Sequence, residues 1–357
     1  MRRVLRGRSR KAVLPLIVYD RSGMALVLTL LAVSFLVAVT VQLGTSVNWQ
    51  MHSAANQGKI VQLDAMLLSG LNLARAALLA DQQKNDYDSS FDDWGEFEQD
   101  TLAALFTEGT LEIKVTDLSG LLQVNGLVLT DEEKKRRQKE QIPGKKGKGK
   151  GAKKDPEKLQ RDLWKRFLTS GNFVLDDEDA AAGLIDSLVD WLDTDDEEHD
   201  NGAERGYYSS RNPPYIPANG PILFLEELLL VKGWNKKNLY GEKEHSGIID
   251  YLTIAGQDGM ININTAPVQV LKSLHADMTE ELAADLVDFR SEEENSDLLA
   301  QPGWYRQAGD FPGDITFEKE LITTSSSSFL VTITARIDGL QHIGHGVVHR
   351  NENTEQT

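Results

Sequence analysis

The sequence contains no cysteine, and this absence sets the first limits on what the protein can be. Disulfide scaffolds, thiolate zinc sites and cysteine nucleophiles are all excluded. Histidine is scarce as well, with seven among 357 residues, and none has the spacing of a zinc motif or a nucleophile–base pair. The fold must therefore be held mainly by packing, for which 40% hydrophobic residues are sufficient.

Charged residues are missing from one long stretch near the N-terminus. Seven Arg or Lys precede residue 23, and no Asp, Glu, Lys or Arg occurs between Arg21 and Lys59. Residues 24–43 are a 20-residue apolar run, enough for a helix to cross a hydrocarbon core of roughly 30 Å. The basic cluster predicts a cytoplasmic N-terminus and export of the rest of the chain. A cleaved secretory signal is disfavoured because the run is long and no small-x-small site follows it.

An amphipathic pattern continues directly from the apolar run. Apolar residues recur at steps of three and four, namely Ile60, Leu63, Met66, Leu67, Leu71, Ala74 and Leu78. This periodicity predicts one continuous helix over residues 24–79. Its first half needs lipid around it, and its second half needs protein against one face.

Acidic residues are concentrated in residues 190–204, where eight carboxylates fall within fifteen positions. Because neighbouring carboxylates repel one another, they must either point apart into water or be neutralised by a hard cation. Calcium accepts six to eight oxygens in flexible geometry. Four residues occupy positions one, three, five and twelve of an EF-hand register: Asp193, Asp195, Glu197 and Glu204. Glu198 stands where that loop requires glycine, so this is no EF-hand. A calcium site and a solvated acidic loop both remain open.

Neither the carboxylates nor any other residues form a convincing catalytic constellation. General acid–base catalysis needs a cleft and carboxyl pKa values that differ because of their surroundings, and a dense acidic run supplies neither. The sequence therefore predicts a protein that is not an enzyme.

A basic, glycine-rich segment interrupts the first half of the chain. Eleven Lys or Arg lie between residues 134 and 154, around the sequence GKKGKGKGAKK. Because this composition cannot bury enough apolar surface to offset ordering entropy, residues 131–160 are predicted to be a disordered surface insertion. Contact with nucleic acid or anionic lipid is the alternative.

The remaining patterns predict helices followed by strands. The sequence ININ-TA at residues 261–266 precedes predicted helices at 268–274 and 280–290, and we expect Asn264 and Thr265 to cap this pair. The motif is similar to helix-hairpin-helix DNA-binding modules, but the hairpin at 275–279 lacks the glycine whose backbone meets phosphate. Strands predicted at 321–324, 329–337 and 346–350 would join residues 111–124 in one antiparallel sheet.

Several of these segments resemble one family, the K-class minor pseudopilins of type II secretion systems. The resemblance rests on a basic leader ending in Gly23 before Met24, and on the acidic passage from Asp190 to Glu204 that ends in GAE and a Tyr-Tyr pair. It also rests on the Asn-x-Asn-Thr-Ala motif at 262–266. Most pilin-like proteins carry glutamate five residues into the mature chain. This sequence has Leu28 there, a departure that the K class shares.

The resemblance implies an α+β, type IV pilin-like fold, in which a long N-terminal helix packs on a small antiparallel sheet with a large, mainly helical inserted domain. We expect a prepilin-type leader at 1–23 and the long helix at 24–82. The pilin-like β domain would comprise 83–127 and 311–357. The inserted domain, similar to helix-hairpin-helix modules, would be 128–310 and would contain the disordered segment.

The resemblance also implies particular sites. A prepilin peptidase would cut after Gly23 and methylate Met24, and calcium would bind in the acidic passage. The expected ligands are Asp193, Asp195 and Glu204, with Asp190 and Glu197 as further members.

The implied function is that of a tip subunit that initiates or caps the periplasmic pseudopilus. Its expected partners are the minor pseudopilins I and J, contacted through the apolar face of the long helix, with H and the major pseudopilin G below. The chain would cross the bacterial inner membrane once, in contact with its lipid, and would bind no nucleic acid. A membrane-anchored DNA-binding receptor and a calcium-dependent adhesin are the alternatives.

Overall fold

The computed structural model describes residues 22–98, 101–102, 104–130, 133–135, 155–173, 175, 177–243 and 245–350. Two predicted features lie largely outside this range. Of the leader at 1–23 only the last two residues are described, and the basic stretch 136–154 is not. The chain divides into two units, residues 1–62 and 63–357.

A single helix, α1 (Ser22–Gln82), confirms the prediction of one continuous long helix. Within it, an 18-residue window reaches a mean hydropathy of 2.7, and none of that window is buried. An exposed apolar helix of this length fits a single-pass membrane anchor, because lipid supplies the apolar contacts that the chain itself does not.

The second unit contains short helices and strands after the end of α1. The helices are α2 (Pro156–Leu168), α3 (Glu178–Leu192), α4 (Arg205–Ser209), α5 (Lys236–Tyr240), α6 (Val268–Ser273) and α7 (Glu280–Ser291). The strands are β1 (Thr110–Asp117), β2 (Leu122–Gln123), β3 (Gly241–Glu242), β4 (His245–Ser246), β5 (Leu252–Thr253), β6 (Ile261–Asn262), β7 (Ile322–Thr323), β8 (Ser328–Ile337) and β9 (Leu340–His349). Turns of 3₁₀ helix cover Val124–Gly126, Leu225–Leu230, Ile249–Tyr251, Glu293–Ala300 and Trp304–Gln307.

The main sheet is antiparallel, with the strand order β1–β8–β9. β8 pairs with β9 from Ser328–His349 to Ile337–Leu340 without interruption. The turn between these strands is Asp338-Gly339, and both residues have positive φ (46° and 80°). Such a two-residue turn matches the twist of the strands it joins. The long helix, this sheet and the helical region between β1 and β8 confirm the predicted α+β fold class.

The predicted apolar face of α1 is buried against this sheet. Leu63, Met66 and Leu78 are at most 1% exposed and share a core with residues such as Val115 and Val331. Burying each of these side chains contributes roughly 1.5–3 kcal/mol. The expectation that this face contacts neighbouring subunits is therefore wrong, because the chain's own sheet already covers it.

A larger core holds the region inserted between β1 and β8, and it takes in more of the chain than predicted. β2 pairs in parallel with β5, and β7 pairs in parallel with β6. Leu122 and Ile322 belong to this core, so the residues around them are not strands of the main sheet as expected. The insertion therefore extends beyond its predicted bounds, 128–310, at both ends. Strands of two residues carry no alternation from which their partners could be predicted.

Helix α2 begins inside the segment that was predicted to be disordered. Asp155 caps it by accepting a hydrogen bond from Glu157 N (3.1 Å), and Pro156 occupies the first turn. Both residues favour helix initiation. The predicted disordered segment, 131–160, is thus wrong for residues 156–160.

A buried carboxylate, Asp117, joins the main sheet to the insertion at the end of β1. It accepts hydrogen bonds from Ser119 N (2.7 Å), Ser326 Oγ (2.6 Å), Thr265 Oγ1 (2.5 Å) and Asn262 Nδ2 (3.1 Å). Burial raises the pKa of this carboxyl, and the same hydrogen bonds oppose the rise. The Asn-x-Asn-Thr motif is therefore a junction between the two cores.

Asn264 belongs to the same junction and is not a helix cap. Its Nδ2 donates to the carbonyl oxygens of Asp88 and Leu299 (3.1 Å each), and its Oδ1 accepts from Trp304 Nε1 (2.7 Å). The N-cap of α6 is Pro267, which makes no side-chain capping bond. The expected capping role of Asn264 and Thr265 is thus wrong, because both side chains bind distant segments instead.

Candidate metal centre

Helix α3 brings two acidic residues to its C-terminal end. Its buried stripe, which includes Leu188 and Trp191, fixes the helix in the inserted core. Asp190 lies in the last turn, and Asp193 closes the helix by donating its N–H to Val189 O (2.9 Å). The last turn contains no basic residue. Because the C-terminal end of a helix is already negative, carboxylates there favour a nearby cation.

Asp190 organises the loop that follows α3. It is fully buried, and it accepts hydrogen bonds from His199 N (3.3 Å) and Ala203 N (2.7 Å), while His199 Nδ1 lies 2.5 Å from its Oδ1. Gly202 fits closely against it, since a Cβ at position 202 would lie 1.8 Å from Asp190 Oδ2. These contacts fold the loop back onto the helix end.

Three carboxylates converge beside this anchor. Asp193, Asp195 and Glu204 each offer an oxygen, and these atoms lie within 4.8 Å of one another. Glu204 is only 5% exposed. Asp193 Oδ1 and both carboxylate oxygens of Glu204 are buried without a hydrogen-bond partner. Buried carboxylate oxygens without donors are costly, so this arrangement calls for either protons or a cation.

The pKa values of two of these carboxyls reflect that cost. Burial raises the pKa of Asp193 to about 6, with the negative charges of Asp195 and Asp190 as further causes. Burial also raises the pKa of Glu204 to about 7, with the charges of Asp190 and Asp193 adding to the shift. Without a cation, proton uptake relieves the repulsion near neutral pH.

The structure assembles most, though not all, of the predicted ligand set. Asp193, Asp195 and Glu204 lie together as expected. An oxygen of Asp190 also lies within 4.8 Å of ligand atoms of Asp193 and His199, although its carboxylate is occupied by the loop's own donors. Glu197 is exposed and lies outside the cluster, and its N–H donates to Asp195 Oδ1 (2.9 Å). The structure therefore does not bring Glu197 together with the other expected ligands.

Residues far along the chain hold the loop in place, and sequence analysis did not find them. Lys232 Nζ donates to the carbonyl oxygens of Gly202 (2.6 Å) and Asn201 (3.2 Å). Asn219 Nδ2 donates to Asp195 O (3.0 Å), and Asn219 Oδ1 is buried without a partner. Asn201 Nδ2 donates to Asp186 Oδ2 (3.2 Å) on the preceding helix. No local pattern links Lys232 or Asn219 to an acidic loop.

Comparisons with known proteins identify the family. Two family models, both described as type II secretion system (T2SS), protein K, match residues 120–240 and 261–315. Type II secretion system protein K of Pseudomonas aeruginosa is 27% identical over 278 residues, covering 76% of this chain and 73% of that protein. The chain belongs to the protein K family of type II secretion systems.

A solved structure of a protein K complex has a related fold. It is the GspK–GspI–GspJ complex from the enterotoxigenic Escherichia coli type 2 secretion system, and the match has a TM-score of 0.54 at 15% identity. The match covers 84% of this chain and 94% of the other chain. It confirms the pilin-like fold with its inserted domain.

Membership in the protein K family confirms the resemblance to K-class minor pseudopilins and places the chain in protein secretion. None of these comparisons points to a DNA-binding receptor or to an adhesin. The first matched range includes the acidic loop, and the second includes the Asn-x-Asn-Thr junction. The family is a structural component of the secretion machinery.

Proposed function

We propose that this chain is the tip subunit of the periplasmic pseudopilus, which it initiates and caps. The observation that carries the proposal is the insertion of a second core between β1 and β8 of a pilin-like sheet. The insertion begins close to the C-terminal end of α1. Asn262 Nδ2 in the insertion donates to the carbonyl oxygen of Asp88, six residues after α1 ends. A bulky domain at that position obstructs the addition of a further subunit above it. The chain acts through assembly and performs no catalysis.

The residue at position 28 supports the placement of this chain at the tip, where no further subunit lies above it. A carboxylate inside a membrane helix costs about 2.5–3.5 kcal/mol unless it has a partner. In pilin-like fibres the glutamate finds that partner in the N-terminal amine of the adjacent subunit. Leu28 avoids the cost where no such amine is offered.

The proposed partners are the minor pseudopilins I and J, as in the solved complex of a related protein. The face of α1 that remains available for them is opposite the sheet. Its exposed positions in the second unit include Leu68 (63% exposed) and Leu79 (57%), with the small residues Ala65 and Ala76 on the same side.

The pseudopilins H and G would follow below, and the basic N-terminal residues would keep the N-terminus cytoplasmic in an inner-membrane anchor. No binding of nucleic acid is proposed, since the chain has a formal charge of −17.

Co-purification tests the assembly. The full chain, tagged and extracted in detergent from cells producing all the pseudopilins, should bring I and J with it. A strain lacking the chain should lose secretion and regain it with the wild-type gene. Normal secretion without the chain, or purification without I and J, would contradict the proposal.

Processing at Gly23 provides a separate prediction. Glycine is unfavourable within a helix by roughly 0.5–1 kcal/mol relative to alanine, yet a Cβ at this position would meet nothing within 4 Å. The chain's own packing therefore does not require glycine, which supports recognition by a prepilin peptidase. Gly23→Val should leave the leader attached, whereas wild-type protein should begin at methylated Met24. Intact mass measurement of both proteins distinguishes these outcomes, and a variant processed like wild type would refute the site.

We further propose that the carboxylates of Asp193, Asp195 and Glu204 bind calcium as a structural ion. Oxygen ligands and a flexible loop suit this cation. The support is the set of buried, unpartnered carboxylate oxygens at the end of α3. Asp190 would act mainly by holding the loop in the required shape.

A further inference from the structure

The two edges of the main sheet differ in how they are protected. The β1 edge carries the exposed charged residues Glu112 and Lys114. Over its ten residues, LQHIGHGVVH, β9 contains no Asp, Glu, Lys, Arg or Pro. Its pairing with β8 is also free of bulges. Charges, proline and bulges are the usual means by which natural edge strands avoid pairing with other chains. β9 has none of these three.

Two apolar side chains are exposed on the face of β9 that points away from α1. Ile343 is 54% exposed and Val347 is 50% exposed, and the two are separated by His345 on the same face. The register places Val347 beside Leu330 of β8, which in turn lies beside Thr116 of β1. A strand added next to β9 would cover the two apolar side chains through cross-strand contacts.

The inner face of β9 places this edge directly beside α1. Gly344 and Gly346 leave room for the helix, since a Cβ at either position would lie 3.3–3.4 Å from Leu71 or Leu67. His342 Nδ1 also contacts Asp64 Oδ1 at 3.0 Å. Leu68, next to Leu67 on the helix, is exposed. The free edge and the exposed face of α1 therefore form one continuous surface.

We propose that the free edge of β9 receives a β-strand from a neighbouring pilin-like subunit, which extends the main sheet from three strands to four. Within the described residues β9 pairs only with β8, so its outward backbone N–H and C=O groups form a row that an extended strand satisfies best. A neighbour whose own helix lies along the exposed face of α1 would bring its sheet to this edge. The added strand should be uncharged, with apolar side chains next to Ile343 and Val347. The inference rests on the proposed assembly into a pseudopilus.

Charge substitution combined with hydrogen exchange tests this surface. The test variant is Ile343→Lys with Val347→Lys in the full chain, co-produced with the other pseudopilins and extracted in detergent. The matched control is Thr116→Lys, which places a lysine on the same face of the sheet at the opposite edge. We expect roughly tenfold less of the partner pseudopilins to co-purify with the β9 variant than with wild type, because lysine must be desolvated beside the incoming strand. The control should recover as much partner as wild type.

Amide exchange distinguishes the possible failures. In the wild-type complex the β9 amides should become protected relative to the isolated chain, while those at the β1 edge should not. If wild type recovers partners but β9 exchange is unchanged and the β9 variant binds normally, this inference fails and the proposed function stands. Recovery of no pseudopilin by wild type overturns both. If the β9 amides are protected in a homodimer of this chain, a second copy occupies the edge and the inference is overturned. The inference is also overturned if β9 is protected in the isolated chain and deletion of residues 351–357 removes that protection.

Discussion

Removal of calcium is expected to lower the melting temperature of the detergent-solubilised chain, and excess calcium is expected to restore it. Asp193, Asp195 and Glu204 converge only in the folded chain, so binding free energy adds to the free energy of unfolding. A site held at 100 times its dissociation constant contributes about 2.7 kcal/mol. For a domain of this size, such an increment corresponds to roughly 5–10 °C. Scanning calorimetry with and without chelator measures the difference.

Neutral substitutions show which carboxylates are responsible for this response. Glu204→Gln should abolish the calcium-dependent increase in melting temperature, because it removes the charge of a carboxylate that is only 5% exposed. Glu197→Gln is the matched control, since that side chain is exposed and lies outside the cluster. It should respond to calcium as wild type does. Equal effects of the two substitutions, or a wild-type melting curve indifferent to chelator, would leave the loop as a solvated acidic surface.

The pH dependence of the calcium effect has a defined sign. In the calcium-free protein the pKa values of Asp193 and Glu204 are about 6 and about 7, raised from 3.8 and 4.5. These carboxyls take up protons on folding, so the stability they contribute is complete below about pH 4 and is lost as the pH rises through their folded pKa values. Calcium needs the ionised forms. The difference between calcium-bound and calcium-free melting temperatures should therefore be small at pH 5 and largest at pH 8.

The long helix and the main sheet could be predicted because their patterns are local and long. Residues 60–78 keep a helical period that specifies a buried face, and β1 alternates between exposed and buried residues over its eight positions. The period alone does not say what that face packs against, because an apolar stripe fits the chain's own sheet as well as a partner; the family resemblance supplied the sheet. The pairings of β2 and β7 were missed for a different reason, namely that strands of two residues have no period.

The acidic loop shows the same division between local and distant determinants. Composition identified the carboxylates, and the end of α3 brings Asp193 close to Glu204. The side chain of Glu197 is exposed and lies apart from the cluster, while its N–H donates to Asp195 Oδ1, an arrangement that spacing alone does not reveal. The contacts of Lys232 and Asn219 depend on the packing of segments more than twenty residues away from the carboxylates they support. Asn264 was misassigned because asparagine before a helix is usually a cap, whereas here its partners are Asp88, Leu299 and Trp304.

Substitution of Asp117 is expected to cost more stability than any other single change at the junction. Its carboxylate accepts four hydrogen bonds, from Ser119, Asn262, Thr265 and Ser326, and it is only 8% exposed. Asp117→Ala would leave these donors unsatisfied and create a cavity between the two cores. Removing one member of a buried polar network typically costs about 3–5 kcal/mol. The urea midpoint of unfolding, followed by tryptophan fluorescence, should fall accordingly.

Two matched variants separate the loss of the carboxylate from a general effect of mutating β1. Thr116→Ala changes the exposed neighbour on the same strand and should alter stability by no more than about 0.5 kcal/mol. Asp117→Asn keeps the shape and one acceptor oxygen, and the hydroxyls of Ser326 and Thr265 can reorient to accept from its amide. It should therefore recover part of the stability that Asp117→Ala loses. An Asp117→Ala protein within about 1 kcal/mol of wild type would show that this carboxylate contributes little to holding the sheet and the insertion together.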